Sequence, residues 1–370
     1  MYLLNEKQIY FGDITAKKLD KVPVGVWLLC FDTDRKEFYL EQKENFTLPE
    51  KLYGTVVRDA AKYLNTYKHM DKNMAVLLSG MKGTGKSLLA RKLAMDAQIP
   101  VIQITQAYGG TGFYNFMSSF NQELCFFIDE YEKVYSEKDS QNTLLSIFDG
   151  TFSSKFLFIL TINEINRMNT YMMNRPGRIR YLKEYRGLDK ATIHDIILDR
   201  LDNQKNMEEI KKICTFLGDV SMDMLSALID ECNIYPNESP RELLKELNMT
   251  PESSQFTYDV IRKDTGKVFY SSEMSYNPLM GNSLNISFWG YTSHFDGKNN
   301  LEIREEIRTL LLNSDDKNDD KYEHHYDIDW DLVDANVDID SDGNIKISST
   351  DETIDHYVVF TKKNQYRYTF

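Results

Sequence analysis

Short, largely apolar runs recur along the middle of the chain: Ala75 to Leu78, Pro100 to Thr105 (PVIQIT), Cys125 to Ile128 (CFFI) and Phe156 to Leu160 (FLFIL). Between them lie segments of helical spacing, Thr55 to Tyr67 and about Lys86 to Ala97. Strands that are apolar on both faces and separated by helices predict a parallel sheet with helices on either side. From Lys190 to Asn248 the spacing is wholly helical. Ahead of the sheet, Val24 to Phe31, a Thr33-Asp34 turn and Glu37 to Leu40 predict a β-hairpin. The linker Leu48-Pro49-Glu50-Lys51-Leu52-Tyr53-Gly54 follows, its Pro and Gly stopping any regular element.

After Met249 the pattern changes to alternation (QFTYDVIRK, KVFYSS, LNISFWGY, HYVVFTKK), with turns at Thr265-Gly266, Asp296-Gly297 and Asp342-Gly343. Leu301 to Leu312 reads as one helix and Asp315 to Asp320 as a solvated acidic loop. The expected division is a β-rich region over 1–53, an αβα sheet domain over 54–185, a helical lid over 186–248 and a β-rich (α+β) appendage over 249–370.

Composition narrows the class. A chain of 370 residues with 42% hydrophobic positions can bury substantial cores. Its formal charge of −13 argues against sequence-independent nucleic-acid binding, which takes clustered cations, though a local basic surface is compatible with that total. Cys30, Cys125, Cys214 and Cys232 lack metal-type spacing and read as free thiols of a reducing compartment. With no charged-then-apolar leader and no apolar run of about 18 residues, the expectation is a cytoplasmic protein outside any membrane.

Gly80-Met81-Lys82-Gly83-Thr84-Gly85-Lys86-Ser87 fits the pattern GxxxxGK[ST] between an apolar strand and a helix. Glycines let backbone N–H groups turn inward around phosphates, and the following helix points its positive end at the same anion. Lys86 is expected to reach the β- and γ-phosphates of ATP, and Ser87 to offer its hydroxyl to Mg²⁺. Gly80, Gly83, Thr84, Gly85, Lys86, Ser87 and Leu88 form the expected nucleotide cradle. The strand Cys125 to Ile128 ends in Asp129 and Glu130. Asp129 is a second Mg²⁺ candidate, and Glu130 a general base for the attacking water.

The order of these motifs resembles the AAA+ ATPases. Phe158 to Asn163 (FILTIN) resembles the strand ending in that family's sensor 1, which makes Asn163 the candidate for orienting water. Asn174-Arg175-Pro176-Gly177-Arg178 resembles the RPGR box of the AAA clade, whose arginines complete a neighbouring subunit's site. The resemblance therefore implies a homo-oligomeric ring, expected to have six subunits, with Arg175 and Arg178 acting in trans. Ser239-Pro240-Arg241-Glu242 opens a helix with a capping box, and Arg241 stands where the family places sensor 2, a plain capped helix with Arg241 in solvent being the other reading. Ala107-Tyr108-Gly109-Gly110 resembles the aromatic loop with which AAA translocases grip a threaded chain, although no Lys precedes Tyr108. A loop aromatic packed on its own domain is the other reading. The β prefix ending in LPEKLYG also resembles AAA proteins of tailed bacteriophages.

The function expected on this resemblance is ATP hydrolysis coupled to remodelling or threading of a protein substrate or adaptor. A DNA-handling machine and an ATP-stabilised assembly protein are the alternatives. Asp338 to Gly343 imitates half a calcium loop but has Ser349 where a bidentate Glu is needed, so a hairpin is expected. His324-His325 lacks a partner set for metal.

Overall fold

The structure is a computed structural model. It describes residues 2–5, 8–10, 17–137, 141–142, 144, 147–148, 152, 154–169, 171–173, 175, 177–247, 249, 255–275, 283–290, 324–331, 335–340 and 344–362. The chain divides into two compact units, Met1–Asp195 with Asp219–Asp223, and Ile196–Gly218 with Met224–Phe370.

In the first unit the elements are β1 (Tyr2–Asn5), β2 (Gln8–Tyr10), β3 (Lys17–Leu19), β4 (Val26–Asp32), β5 (Glu37–Lys43), α1 (Val56–Lys68), β6 (Met74–Gly80), α2 (Lys86–Asp96), β7 (Val101–Gln103), α3 (Gly110–Ser118), β8 (Leu124–Ile128), α4 (Tyr131–Val134), β9 (Phe156–Ile162) and β10 (Tyr181–Tyr185). They form one sheet in the order β10-β6-β9-β8-β7-β4-β5-β2-β1-β3. From β10 to β4 every pairing is parallel, and from β4 onward every pairing is antiparallel.

The expected hairpin thus forms as β4 and β5, and its first strand joins the parallel sheet alongside β7. The sequence did not announce β10. It is the outer strand beside β6, and its residues alternate between half-buried and exposed, so it lacks the apolar run that marks the inner strands.

Alternation along the inner strands feeds two cores. Ala75, Leu77, Phe126 and Phe158 face one side with Phe113, Phe116, Tyr131 and Tyr135. Val76, Leu78, Phe127 and Ile159 face the other with Ala60 and Tyr63 of α1 and Leu89 and Leu93 of α2. These inner-strand side chains are essentially inaccessible, which explains why their sequence is apolar without a break.

Charge also fixes β10 to α1. Lys183 Nζ donates to Asp59 and to Thr55 Oγ1 (2.7 Å), while Arg58 lies 3.0 Å from the same carboxylate. Burial pushes the Asp59 pKa up, but hydrogen bonds from Lys183, Thr55 and Arg58 together outweigh it and leave it below its ordinary 3.8. A carboxylate with a lowered folded-state pKa stabilises fully above its unfolded value, and that contribution disappears as pH falls through the folded value. Asp59→Asn is expected to lower unfolding free energy by about 2–3 kcal/mol at neutral pH. In urea titrations the gap from the unmodified protein should begin to shrink below about pH 4 and continue to shrink as pH falls through the folded-state pKa; a gap that does not shrink on acidification would contradict the assignment.

The second unit contains the ends of α5 (Lys190–Arg200) and α7 (Met222–Ile234), together with α6 (Met207–Leu217) and α8 (Pro240–Glu246). Helices over 190–246 match the expected helical stretch. Beyond them lie β11 (Gln255–Arg262), β12 (Val268–Ser275), β13 (Ser283–Gly290), β14 (His324–Asp331), β15 (Ala335–Ile339), β16 (Ile345–Ser349) and β17 (His356–Lys362). Five of these form an antiparallel sheet ordered β12-β11-β17-β16-β15, and β13 pairs with β14. Ile339 opposite Ile345 makes β15 and β16 the hairpin expected in place of a calcium loop. Among the described residues no group of three or more His, Cys, Asp or Glu side chains is arranged to hold a metal ion. The Leu301 to Leu312 helix, the Asp315 to Asp320 loop and the Asp296-Gly297 and Asp342-Gly343 turns fall outside the described residues. All four cysteines are free, and no helix among the described residues is long and apolar enough to cross a membrane.

Candidate active site

Parallel strands deliver their C-terminal ends to one edge of the sheet, and ligands of open α/β sheets bind outside that edge. Here β6, β9 and β8 are adjacent, with Ser79 opposite Ile162 and Ile128 opposite Leu160. The next residues at that edge are Gly80, Asn163 and Asp129.

The turn after β6 depends on its glycines. Gly80 has φ 132°, and a Cβ there would lie 1.8 Å from the carbonyl oxygen of Tyr185 on β10. Gly83 (φ 75°) and Gly85 (φ 95°) are also in the left-handed range, and around Gly85 the space is open. Thr84 is buried and its hydroxyl donates to the Met81 carbonyl at 2.7 Å, closing the loop. Leu88 anchors the first turn of α2 on the core. The Lys86 ammonium turns back onto the loop, donating to the carbonyls of Gly80 (2.6 Å) and Met81 (2.7 Å). Burial lowers its pKa, opposed by the charges of Glu132, Asp129 and Glu130.

Across the edge, Ser87 Oγ donates to Asp129 Oδ1 at 3.0 Å. The same carboxylate oxygen accepts the Thr161 hydroxyl at 2.5 Å, and Thr161 Oγ1 accepts the Glu130 backbone N–H at 2.9 Å. Glu130 takes a left-handed backbone (φ 51°), uncommon for a residue with a side chain and characteristic of functional turns. Its carboxylate pairs with Lys133 at 2.8 Å and accepts the Asn163 Nδ2 amide at 3.3 Å. The Lys133 hydrogen bond is the main reason its pKa lies below the ordinary value. Lys86, Ser87, Asp129, Glu130 and Asn163, spread over the sequence, therefore meet at one place.

Hard oxygen donors are what Mg²⁺ takes, and the Ser87 hydroxyl and Asp129 carboxylate already sit within hydrogen-bonding distance. The residues present fit such an ion beside a loop shaped for phosphates.

The remaining sequence candidates belong to other elements. Arg175 is exposed and Arg178 half-buried. Their turn is closed by Arg178 N–H to Arg175 O (2.8 Å), and Arg178 Nη1 donates to Tyr171 O at 2.6 Å. Asn174 and Pro176 of the same box are outside the described residues. Arg241 opens α8 in the second unit, behind the expected capping box of Ser239 and Glu242. Burial raises the pKa of nearby Glu209, against the pull of the Arg241 backbone N–H and charge. Tyr108 takes the second of its two readings: it is not a free loop aromatic. Its hydroxyl donates to Leu29 O at 3.1 Å, its ring meets Phe38 edge-on at 5.2 Å, and its backbone exchanges hydrogen bonds with the Tyr135 hydroxyl.

Three features escape a reading of the sequence. Thr161 lies inside the FILTIN motif without an assigned part. Glu132 reads as one acid of a turn. The segment Asp219–Asp223 packs on the phosphate-type loop: Met222 N–H donates to Gly83 O at 2.8 Å, and a Cβ on Gly83 would lie 2.9 Å from Asp223 Oδ2. That last contact runs largely through backbone, so no side-chain motif could disclose it.

Fold and edge geometry together define a P-loop nucleoside-triphosphatase type of domain. Residues 76–184 match the family described as "ATPase family associated with various cellular activities (AAA)". Over 201 residues, 46% of this chain, the sequence is 25% identical to the ATP-dependent zinc metalloprotease FtsH of Clostridium perfringens, and the match spans 28% of that protein. Among solved structures, the Thermotoga maritima RuvB Holliday junction branch migration motor is 17% identical, covering 55% of this chain and 74% of that one with a TM-score of 0.40. A point variant of that RuvB is likewise 17% identical, covering 54% of this chain and 72% of the other with a TM-score of 0.40. The chain carries an AAA+ ATPase domain.

Proposed function

We propose that this protein binds ATP on the turn between β6 and α2 and hydrolyses it with Mg²⁺, in a ring of identical subunits, to remodel or thread a protein partner. The observation that carries the reading is the 3.0 Å contact of Ser87 with Asp129, which joins the phosphate-type loop to the acidic strand end. Ser87 and Asp129 would hold the ion, which when bound neutralises charge developing on the phosphate oxygens. Lys86 leaves the loop carbonyls for the β- and γ-phosphates. Glu130, kept ionised by Lys133, polarises the attacking water, and Asn163 orients it. Arg175 and Arg178 of an adjacent subunit complete the site, and Arg241 follows the nucleotide from the helical segment. Head-to-tail sharing of this kind closes into a ring, and six subunits is the size the AAA+ resemblance implies.

Glu130→Gln removes the base and keeps the shape. ATP affinity is expected within about threefold of the unmodified protein, with turnover lower by at least about 10²-fold. Immobilised in ATP, this form should retain a protein partner. Retention of DNA alone would replace protein remodelling by DNA handling. Undiminished turnover would remove Glu130 from the mechanism.

A further inference from the structure

Glu132 lies two residues beyond Glu130, on the first turn of α4, and is only 5% exposed. Its Oε1 accepts the backbone N–H of Asn163 at 3.0 Å. Its Oε2 is buried and has no hydrogen-bond partner among the described residues. A buried carboxylate with an unfilled oxygen is costly, and an apolar residue would fill the same space without that cost.

The bond to Asn163 gives this acid a task. Asn163 is the first residue beyond β9, where the sheet ladder no longer holds the chain. Its side-chain amide must meet Glu130, which leaves β8 in a left-handed turn. Thr161 ties the two strand ends one step earlier, through Asp129 Oδ1 and the Glu130 N–H. Glu132 ties them one step later. We infer that Glu132 is a positioning residue of the hydrolytic site, its buried carboxylate fixing the end of β9 so that the Asn163 amide reaches Glu130.

This inference rests on the proposed hydrolysis, and a double-mutant cycle with an exchange measurement separates the two. Glu132→Ala removes the side-chain partner of the half-buried Asn163 N–H and frees the strand end. Its kcat is expected to fall about 10–100-fold, the scale of a small misplacement, with KM and ATP affinity within about twofold. Asn163→Ala should fall similarly, and the double variant should be no slower than Asn163→Ala alone, because both act through one amide. Glu132→Gln keeps an oxygen for the Asn163 N–H and puts an unfilled donor where the carboxylate has an unfilled acceptor. Its kcat should stay within about threefold of the unmodified protein.

The exchange arm needs no turnover. Deuterium uptake at the Asn163 backbone amide should be slow in the unmodified protein and in Glu132→Gln, and at least about tenfold faster in Glu132→Ala. Multiplicative losses in the double variant, a parallel loss of ATP affinity, or unchanged amide exchange in Glu132→Ala would each overturn the inference. If the unmodified protein hydrolyses no ATP, the proposed function fails, and the exchange result still decides whether Glu132 holds Asn163. Should Glu132→Ala fail to fold, a Glu132→Gln protein with fast Asn163 exchange gives the same negative answer.

Discussion

Replacing Lys86 by alanine is expected to reduce ATP turnover by about 10²–10³-fold and to weaken ATP binding at least about tenfold. Two losses add. The ammonium is the one cationic side chain of the cradle assigned to the β- and γ-phosphates, and burial lowers its pKa against the opposing charges of the nearby acids. It also ties the loop together through the Gly80 and Met81 carbonyls. Removing that tie costs about 1–2 kcal/mol of local order even before nucleotide arrives. Lys86→Arg tests geometry against charge, since a planar guanidinium cannot reproduce a point-charge ammonium in so tight a loop. It should restore little activity. Steady-state kinetics with nucleotide-binding titration measure both variants. A Lys86→Ala protein whose kcat/KM lies within about tenfold of the unmodified value would sink the P-loop assignment.

What the sequence disclosed follows from where each side chain ends up. Leu77, Phe126 and Ile159 are buried on inner strands, so their order could be read directly as a parallel sheet. Lys86, Ser87, Asp129 and Glu130 belong to motifs whose residue types are dictated by phosphate and metal chemistry, so they too were legible. Where burial is partial or contact is through backbone, the signal fades. Tyr181 to Tyr185 is half-buried at the sheet's outer position and reads as nothing in particular. Ala107 to Gly110 matched a loop pattern, yet α3 begins at Gly110, and Phe113, Phe116 and Met117 supply the apolar face that anchors it. Tyr108 matched a loop pattern, but the pattern could not show the hairpin residue Phe38 that claims its ring. Glu132 differed from any solvated acid only in being buried, and burial of one acid in a turn leaves no trace in residue type.

Arg178→Ala is expected to suppress turnover of the assembled protein by about 10³–10⁵-fold while ATP binding to the isolated subunit stays near normal. The turn that carries Arg178 supports such a role in trans. Arg178 N–H to Arg175 O and Ile179 N–H to Arg175 O close it, Ile179 buries its side chain, and Arg180 N–H bonds to Ala75 O at 2.9 Å on the β6 strand. The guanidinium is thus mounted on backbone fixed to the sheet, so its position should follow the subunit as a rigid body. A decisive form of the experiment mixes two inactive proteins. Arg178→Ala subunits keep Lys86, and Lys86→Ala subunits keep Arg178. A site shared between neighbours is whole wherever a Lys86→Ala subunit offers its arginines to an Arg178→Ala subunit's loop. Random assembly at equal ratio makes roughly a quarter of the junctions whole, so activity should rise to roughly that fraction of the unmodified rate. The rise should depend on mixing ratio, with a maximum at equal parts, and on protein concentration, because isolated subunits cannot complement. Activity that stays at the level of the separate variants at every ratio would place Arg178 outside the shared site and leave each subunit's chemistry to its own residues.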